Sequence, residues 1–157
     1  MGVFDNLSDN GESRYFAKGE YIVEVTECKL HDAGRDEYAI IEGKIVEVIE
    51  GGGSGKSALK EGMSASQVFS TTNYPKMAKR DIMGFLSAVY GEAADEASDK
   101  VWKKRARKVF EDNGAAGIRL YLVCTDKKKK NSDGFVTKHR WHPEDDAGDV
   151  DLDDDED

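Results

Sequence analysis

The chain of 157 residues has only two cysteines, Cys28 and Cys124, and no long apolar run. The two cysteines form no CxxC pair of the kind that marks zinc and redox sites. No apolar stretch is long enough to cross a bilayer, and residues 1–11 lack the basic start and apolar centre of a secretory signal. We therefore expect reduced, buried thiols and no membrane association in a cytoplasmic protein, or in the host cytoplasm if the protein is viral.

Motifs for catalysis, metal binding and nucleotide binding are also missing. The stretch GGGSGKS at residues 51–57 has Glu50 where a phosphate-binding loop needs glycine. His31, His139 and His142 have no cysteine partners at zinc-ligand spacing. No nucleophile is paired with a base, so we expect a protein that is not an enzyme and has no cofactor or metal.

Apolar residues are scarce, at 38% of the chain, and acidic residues concentrate at the C-terminal end. Residues 144–157 contain ten acidic residues and three apolar ones. Such a segment cannot bury enough surface to offset its ordering entropy, which predicts a disordered acidic tail after a folded domain of residues 1–143. The chain carries 23 basic and 32 acidic residues, so without the ten tail acids the balance is 23 against 22, a net charge of +1.

Five stretches have the alternating or β-branched pattern of strands, and they lie at residues 19–29, 37–50, 63–72, 117–125 and 134–142. In the second stretch Ala39, Ile41, Ile45 and Ile49 are predicted to face the core, and Gly43 indicates a bulge or bend. Helical spacing replaces this pattern at residues 75–90 and 100–112. The order predicts a mainly β fold, a five-stranded OB-type barrel with a helical insert between strands 3 and 4.

Four adjacent lysines occupy the loop between the fourth and fifth strands, and they are Lys127, Lys128, Lys129 and Lys130. They repel one another, and an anionic partner would relieve that repulsion; a solvated loop is the alternative. In OB folds oligonucleotides lie across strands 2 and 3, flanked by the loop between strands 1 and 2 and by this loop between strands 4 and 5.

Cations and aromatic residues also alternate along the predicted strands. Arg119 and Tyr121 on the fourth strand, and Lys138 and Arg140 on the fifth, point away from the core. Base stacking on an aromatic ring contributes about 1–3 kcal/mol per base, while cations follow the backbone, so this mixture suits single-stranded nucleic acid. Further candidates are Tyr38, Lys44, Phe69 and Trp141, although a core position is favoured for Phe69 and Trp141.

The second predicted helix is strongly basic, and its candidate DNA contacts are Lys103, Lys104, Arg105 and Arg107. Contact with DNA or with the acidic tail is one interpretation, and an ordinary solvated helix face is the other.

Three segments together resemble the phage-encoded single-stranded DNA-binding proteins: the opening strand GEYIVEV at residues 19–25, the basic hairpin at residues 117–143, and the ending DDAGDVDLDDDED. The resemblance implies a protein that coats single-stranded DNA during replication, recombination or repair, with a tail that recruits replication or recombination proteins. Tails of that family often end in an aromatic residue, whereas this one ends in Asp157, which leaves recruitment by charge.

A protein–protein adaptor or DNA-mimic decoy that acts through the tail is the alternative function.

If the protein instead binds single-stranded DNA, the tail would compete with the DNA for its groove, because tethering gives the tail an effective concentration in the millimolar range. The oligomeric state stays open, with a homo-oligomer as one option.

Overall fold

The computed structural model describes residues 15–52, 58–73, 75–128 and 135–147. Five strands form one antiparallel sheet in the order β3-β2-β1-β4-β5, and they are β1 (Gly19–Ala33), β2 (Asp36–Gly51), β3 (Ser64–Ser70), β4 (Arg119–Lys128) and β5 (Phe135–Pro143). Two α-helices follow β3 in the described part of the chain, α1 (Pro75–Tyr90) and α2 (Asp99–Glu111). The predicted mainly β fold and the helical insert before β4 are confirmed.

The predicted barrel is only partly correct, because the sheet is open. β3 and β5 are its edges, and no ladder joins them among the described residues. Side chains bridge the gap instead: the Trp141 indole of β5 donates to Gln67 Oε1 of β3 over 2.8 Å, and Phe85 of α1 lies 5.2 Å from the Trp141 ring. Phe16 adds a third contact, since its N–H donates to the Ser66 carbonyl and its ring lies 5.9 Å from Trp141.

One face of the sheet builds the core, and we call the opposite face the outer face. The buried inward residues are Tyr21, Val23, Val25, Cys28, Ala39, Ile41, Ile45, Leu120, Leu122 and Cys124. Both helices cover this inner face, and α2 contributes Trp102, Val109 and Phe110 to the same core. Both cysteines are free and buried, as expected. None of the helices in the described ranges is long and apolar enough to cross a membrane.

The pairing of β1 with β2 shifts at three places. At Gly43, where a bulge or bend was predicted, the extra residue belongs to β1 and lies between Val25 and Glu27, whereas the other two shifts skip Ile49 and Val46 of β2. Gly43 is required there because a Cβ atom would collide with the Val23 side chain. Ile49 was predicted to face the core but is 40% exposed, because the shift at Glu20/Tyr21 brings Val48 opposite the buried Tyr21.

Candidate nucleic-acid interface

The β4–β5 hairpin presents a line of cations on the outer face. The register pairs Thr125 with Lys138, Val123 with Arg140 and Tyr121 with His142, so these side chains share one face with Arg119 and Lys127. We call Arg119, Arg140, Lys138 and Lys127 the cation row. At about 3.4 Å per residue it extends roughly 27 Å along β4. None of the described outward positions on these two strands carries a carboxylate.

The centre of the outer face, in contrast, is acidic. Glu20, Glu24 and Glu27 lie on β1, and Glu27 is directly opposite Glu42 of β2. Lys29 and Lys44 lie among these glutamates, on β1 and β2, whereas the cation row at β4 and β5 lies to one side of them. Sequence reasoning missed this division because the bulge at Val25/Glu27 decides which glutamates point outward.

Arg119 and Lys44 are exposed and lie on either side of Glu24. The Arg119 Nε atom is 3.6 Å from Glu24 Oε1, and both side chains are partly in solvent. Lys44 is the β2 neighbour of Glu24 in the ladder. Because exposed ion pairs contribute only about 0–1 kcal/mol, a phosphate group can compete for Arg119 at small energetic expense.

Tyr121 points outward but is 1% exposed. It belongs to a second apolar cluster with Ile22 and Val123, against which Ala147 packs, and its hydroxyl donates to the Glu20 carboxylate. After β5 the chain makes a 3-10 turn at Glu144–Asp146, which brings Ala147 against this cluster, where Val46 also packs. The predicted tail therefore begins with four residues of described structure, while residues 148–157 lie outside the described ranges.

Tyr38, Phe69 and Trp141 fall in three different places. Tyr38 is half-buried on the outer face of β2, next to His31 of β1 and Ser70 of β3. Phe69 packs against the core, and Trp141 is 6% exposed within it. The core interpretation of Phe69 and Trp141 thus agrees with their positions, and neither ring lies on the outer face.

The basic cluster of α2 lies away from the cation row. Because Trp102, Val109 and Phe110 of α2 are buried in the core, the exposed Lys103, Lys104 and Arg107 point away from it, whereas the cation row occupies the other side of the sheet. The predicted cations therefore form two surfaces rather than one groove.

Arg105 differs from its neighbours in α2 because it has structural partners. Its guanidinium lies 4.6 Å from the Tyr90 ring and 4.7 Å from the Trp102 ring, and it forms an ion pair with Glu92 at 2.5 Å. These contacts join α2 to the end of α1.

The lysine loop is described only in part. Lys127 is exposed at the end of β4, and the backbone of Lys128 pairs with Phe135. Lys129 and Lys130 lie outside the described residues.

A cleft that the sequence did not predict lies between α1 and β5. Its volume is about 370 Å³, and its lining includes Arg80 and Asp81 of α1 and residues 138–142 of β5. Lys138 and Arg140 of the cation row therefore also line this α1–β5 cleft. A second, mainly apolar groove of about 440 Å³ lies between α1 and α2.

Titratable side chains in and near the core are held in their neutral forms. Burial raises the pKa of the Cys28 thiol to about 12 and also raises that of Cys124. Burial lowers the pKa of His139 to about 4 and lowers that of His142 as well. The described residues contain no cluster of three or more side chains that could hold a metal ion.

Comparison with known proteins finds no protein-family model that matches the chain and no curated protein that is similar to it.

Proposed function

We propose that this chain is an OB-fold protein that binds single-stranded DNA without strong sequence preference, along the outer face of β4 and β5. The cation row carries the proposal, because Arg119, Arg140, Lys138 and Lys127 follow one another without a carboxylate at the described outward positions of these strands. Cations that follow a phosphate backbone supply affinity independent of base sequence.

The strand arrangement supports an OB fold. The sheet order β3-β2-β1-β4-β5, with helices between β3 and β4, matches a five-stranded barrel opened between β3 and β5. OB folds are partly open barrels whose loop between β4 and β5 borders the oligonucleotide. The cation row runs along β4 toward that loop.

The rings of Tyr121 and His142 lie next to these cations and are suited to base stacking. Tyr121 lies within the row, under Ala147, and its ring centroid is 5.8 Å from that of His142. Displacing Ala147 would turn the Tyr121 ring into a platform for a base, at a gain of about 1–3 kcal/mol.

The acidic tail competes with DNA in this proposal and recruits replication, recombination or repair proteins once it is displaced. Glu144–Asp146 begins the tail on the outer face, beside Tyr121. Seven further acids follow within residues 148–157, and a tether of this length keeps them at high local concentration near the cation row.

Fluorescence anisotropy with labelled oligo(dT) tests the proposal, using a protein truncated after Ala147. Four phosphate contacts should give a log–log salt slope of about −3. Arg140→Ala should weaken binding about three- to tenfold and reduce the slope by about 0.7. Lys104→Ala removes an exposed cation from α2, on the other side of the core, and should leave binding unchanged.

An absence of binding by the truncated protein at low salt would overturn the proposal and leave the adaptor function. The acidic centre of the outer face, with Glu27 opposite Glu42, favours that alternative because it adds to the negative surface of the tail. An adaptor would bind a basic protein through the full-length chain and would be insensitive to Arg140→Ala.

A further inference from the structure

The groove between α1 and α2, which we call the α1–α2 groove, is lined mainly by apolar side chains. Leu86 of α1 and Trp102 of α2 are buried in its lining, whereas Ile82, Met83 and Ala106 are half-buried there. Half-buried apolar side chains keep part of their surface in water, so a ligand with aliphatic groups gains free energy by covering them. The groove therefore favours an apolar ligand.

Two exposed lysines, Lys79 of α1 and Lys103 of α2, line the same groove. Neither takes part in an ion pair within the described part of the chain. Asp99 is the carboxylate of the described lining. Helical spacing of three or four residues places three further exposed cations beside the two lysines, and they are Lys76, Lys100 and Arg107. The surface thus favours a ligand that combines aliphatic groups with negative charge.

One segment of this chain has that combination, and it lies outside the described residues. Residues 148–157 contain seven acidic residues, and Val150 and Leu152 are placed among them. Alternate residues of an extended chain point to the same side. Both aliphatic side chains can therefore enter a groove together, while the carboxylates between them lie toward its cationic borders.

The tail of the same molecule is too short to place Val150 in the groove. Met83 lines the groove, whereas Gly84 lines the α1–β5 cleft, so the groove and β5 lie on opposite sides of α1. Ala147 packs on the outer face, and the three residues from there to Val150 span at most about 11 Å. The width of α1 alone is about 10–12 Å, and the sheet lies in addition between Ala147 and the helices.

We propose that the α1–α2 groove binds the acidic tail of a second copy of this chain, with Val150 and Leu152 in the groove and carboxylates beside Lys79 and Lys103. Tail and groove are different surfaces, so this contact links molecules side by side. A DNA strand that displaces the tail from the cation row frees it for the groove of the next molecule, which makes strand coating cooperative. This cooperativity rests on the proposed function; the contact between two copies does not.

NMR spectra of mixed full-length chains test the contact without DNA. The observed copy is isotope-labelled and carries Val150→Ser and Leu152→Ser, which remove the aliphatic groups of its tail and keep the charge. Unlabelled wild type, added up to about 1 mM, should shift the indole N–H signal of Trp102 in the groove but not that of Trp141 in the core. The unlabelled chain with the same two substitutions is the matched control and should bind at least about tenfold more weakly.

A second pair of variants tests the cationic border of the groove. Lys103→Ala in the labelled copy should weaken the association about two- to fivefold, because it removes an exposed partner of the tail carboxylates. Lys104→Ala removes the same charge from the next position, about 100° further around α2 and outside the described groove lining, and should leave the association unchanged. Equal weakening by both variants would reduce the contact to a general attraction between charges and overturn the groove.

No shift of the Trp102 signal, or an equal shift with the doubly substituted chain, would overturn the proposal. A difference in this signal between wild type and the doubly substituted chain that persists on dilution would also overturn it, because the groove would then hold the tail of the same molecule. A shift in a protein that does not bind oligo(dT) would keep the contact between copies and overturn only the proposed function. Binding of oligo(dT) without the shift would do the reverse.

Discussion

Aromatic side chains with similar sequence surroundings have different roles in the folded protein. Tyr121 and Trp141 each lie in a strand beside cations. The register places the Trp141 indole in the core, where it bonds Gln67, and places the Tyr121 ring on the outer face under Ala147. Alternation predicts the face of each ring, but the cover over Tyr121 depends on a later part of the chain.

His139 couples the stability of the fold to pH. Its pKa is about 4 in the folded chain and 6.5 as the ordinary value, so the unfolded chain binds more protons between these values. Stability is therefore full above the unfolded pKa and is lost as pH falls toward the folded pKa. From about pH 7.5 to pH 5 this group should lower the free energy of unfolding by about 2 kcal/mol.

Urea denaturation at the two pH values measures this loss. The His139→Gln variant has no titrating ring at this position, so its stability should fall less than that of the wild type, by about the same 2 kcal/mol. The same pH dependence in both proteins would contradict a buried, neutral His139.

At the scale of elements, Asn113, which follows α2, forms hydrogen bonds with the backbone of β1 at its bulge. Asn113 has φ 56°, its Oδ1 atom accepts from the Cys28 N–H over 2.8 Å, and its Nδ2 group donates to the Thr26 carbonyl over 3.3 Å. These two bonds occupy backbone groups of β1 at the place where its pairing with β2 shifts. Asn113 therefore fastens the helix to the sheet.

Asn113→Ala should destabilise the protein by about 2 kcal/mol, because it removes both bonds and places an ordinary side chain at positive φ. Asn113→Gly removes the same bonds without backbone strain and should cost only about 1 kcal/mol. Chemical denaturation measures both values. Equal losses would show that the left-handed backbone contributes nothing.

At the scale of the whole molecule, the open sheet creates the features that a closed barrel would lack. Because β5 has no ladder to β3 among the described residues, α1 can pack beside it and form the α1–β5 cleft. The chain after β5 crosses the outer face and covers Tyr121. The open sheet thus places α1 beside β5 on the inner face, and the start of the tail lies on the outer face near the cation row.

Two truncations remove the tail in two steps, and a substitution at Tyr121 then separates the effect of charge from that of stacking. Removal of residues 148–157 should tighten oligo(dT) binding by removing seven acids. Truncation after Pro143 should tighten it further, about three- to tenfold, because it removes three more acids, Glu144, Asp145 and Asp146, and also uncovers Tyr121 for stacking. Fluorescence anisotropy measures both.

Tyr121→Leu in the shorter protein is the control, since it keeps an apolar side chain and should cancel the part of the extra gain that comes from stacking. If the two truncated proteins bind equally well, Ala147 does not limit access to the Tyr121 ring.

Much of the fold could be predicted because it depends on local periodicity. Alternation along β1, β2 and β4 identifies inward residues such as Val23, Ile41 and Leu122, and Pro75 marks the start of α1. The site was harder to predict. Exposed Lys104 and stacked Arg105 are adjacent in a basic run, and only the partners Glu92, Tyr90 and Trp102 distinguish them.

The five strands, the helical insert before β4 and the alternation that puts Arg119, Lys138 and Arg140 on one face could be predicted from the amino-acid sequence, because they follow from the spacing of neighbours along the chain. Four features could not be predicted in this way: the opening between β3 and β5, the acidic centre of the outer face, the packing of Ala147 against the cluster around Tyr121, and the α1–β5 cleft. Each of these depends on how residues far apart in the chain pack together, and a shift of one residue at a bulge changes which side chains meet.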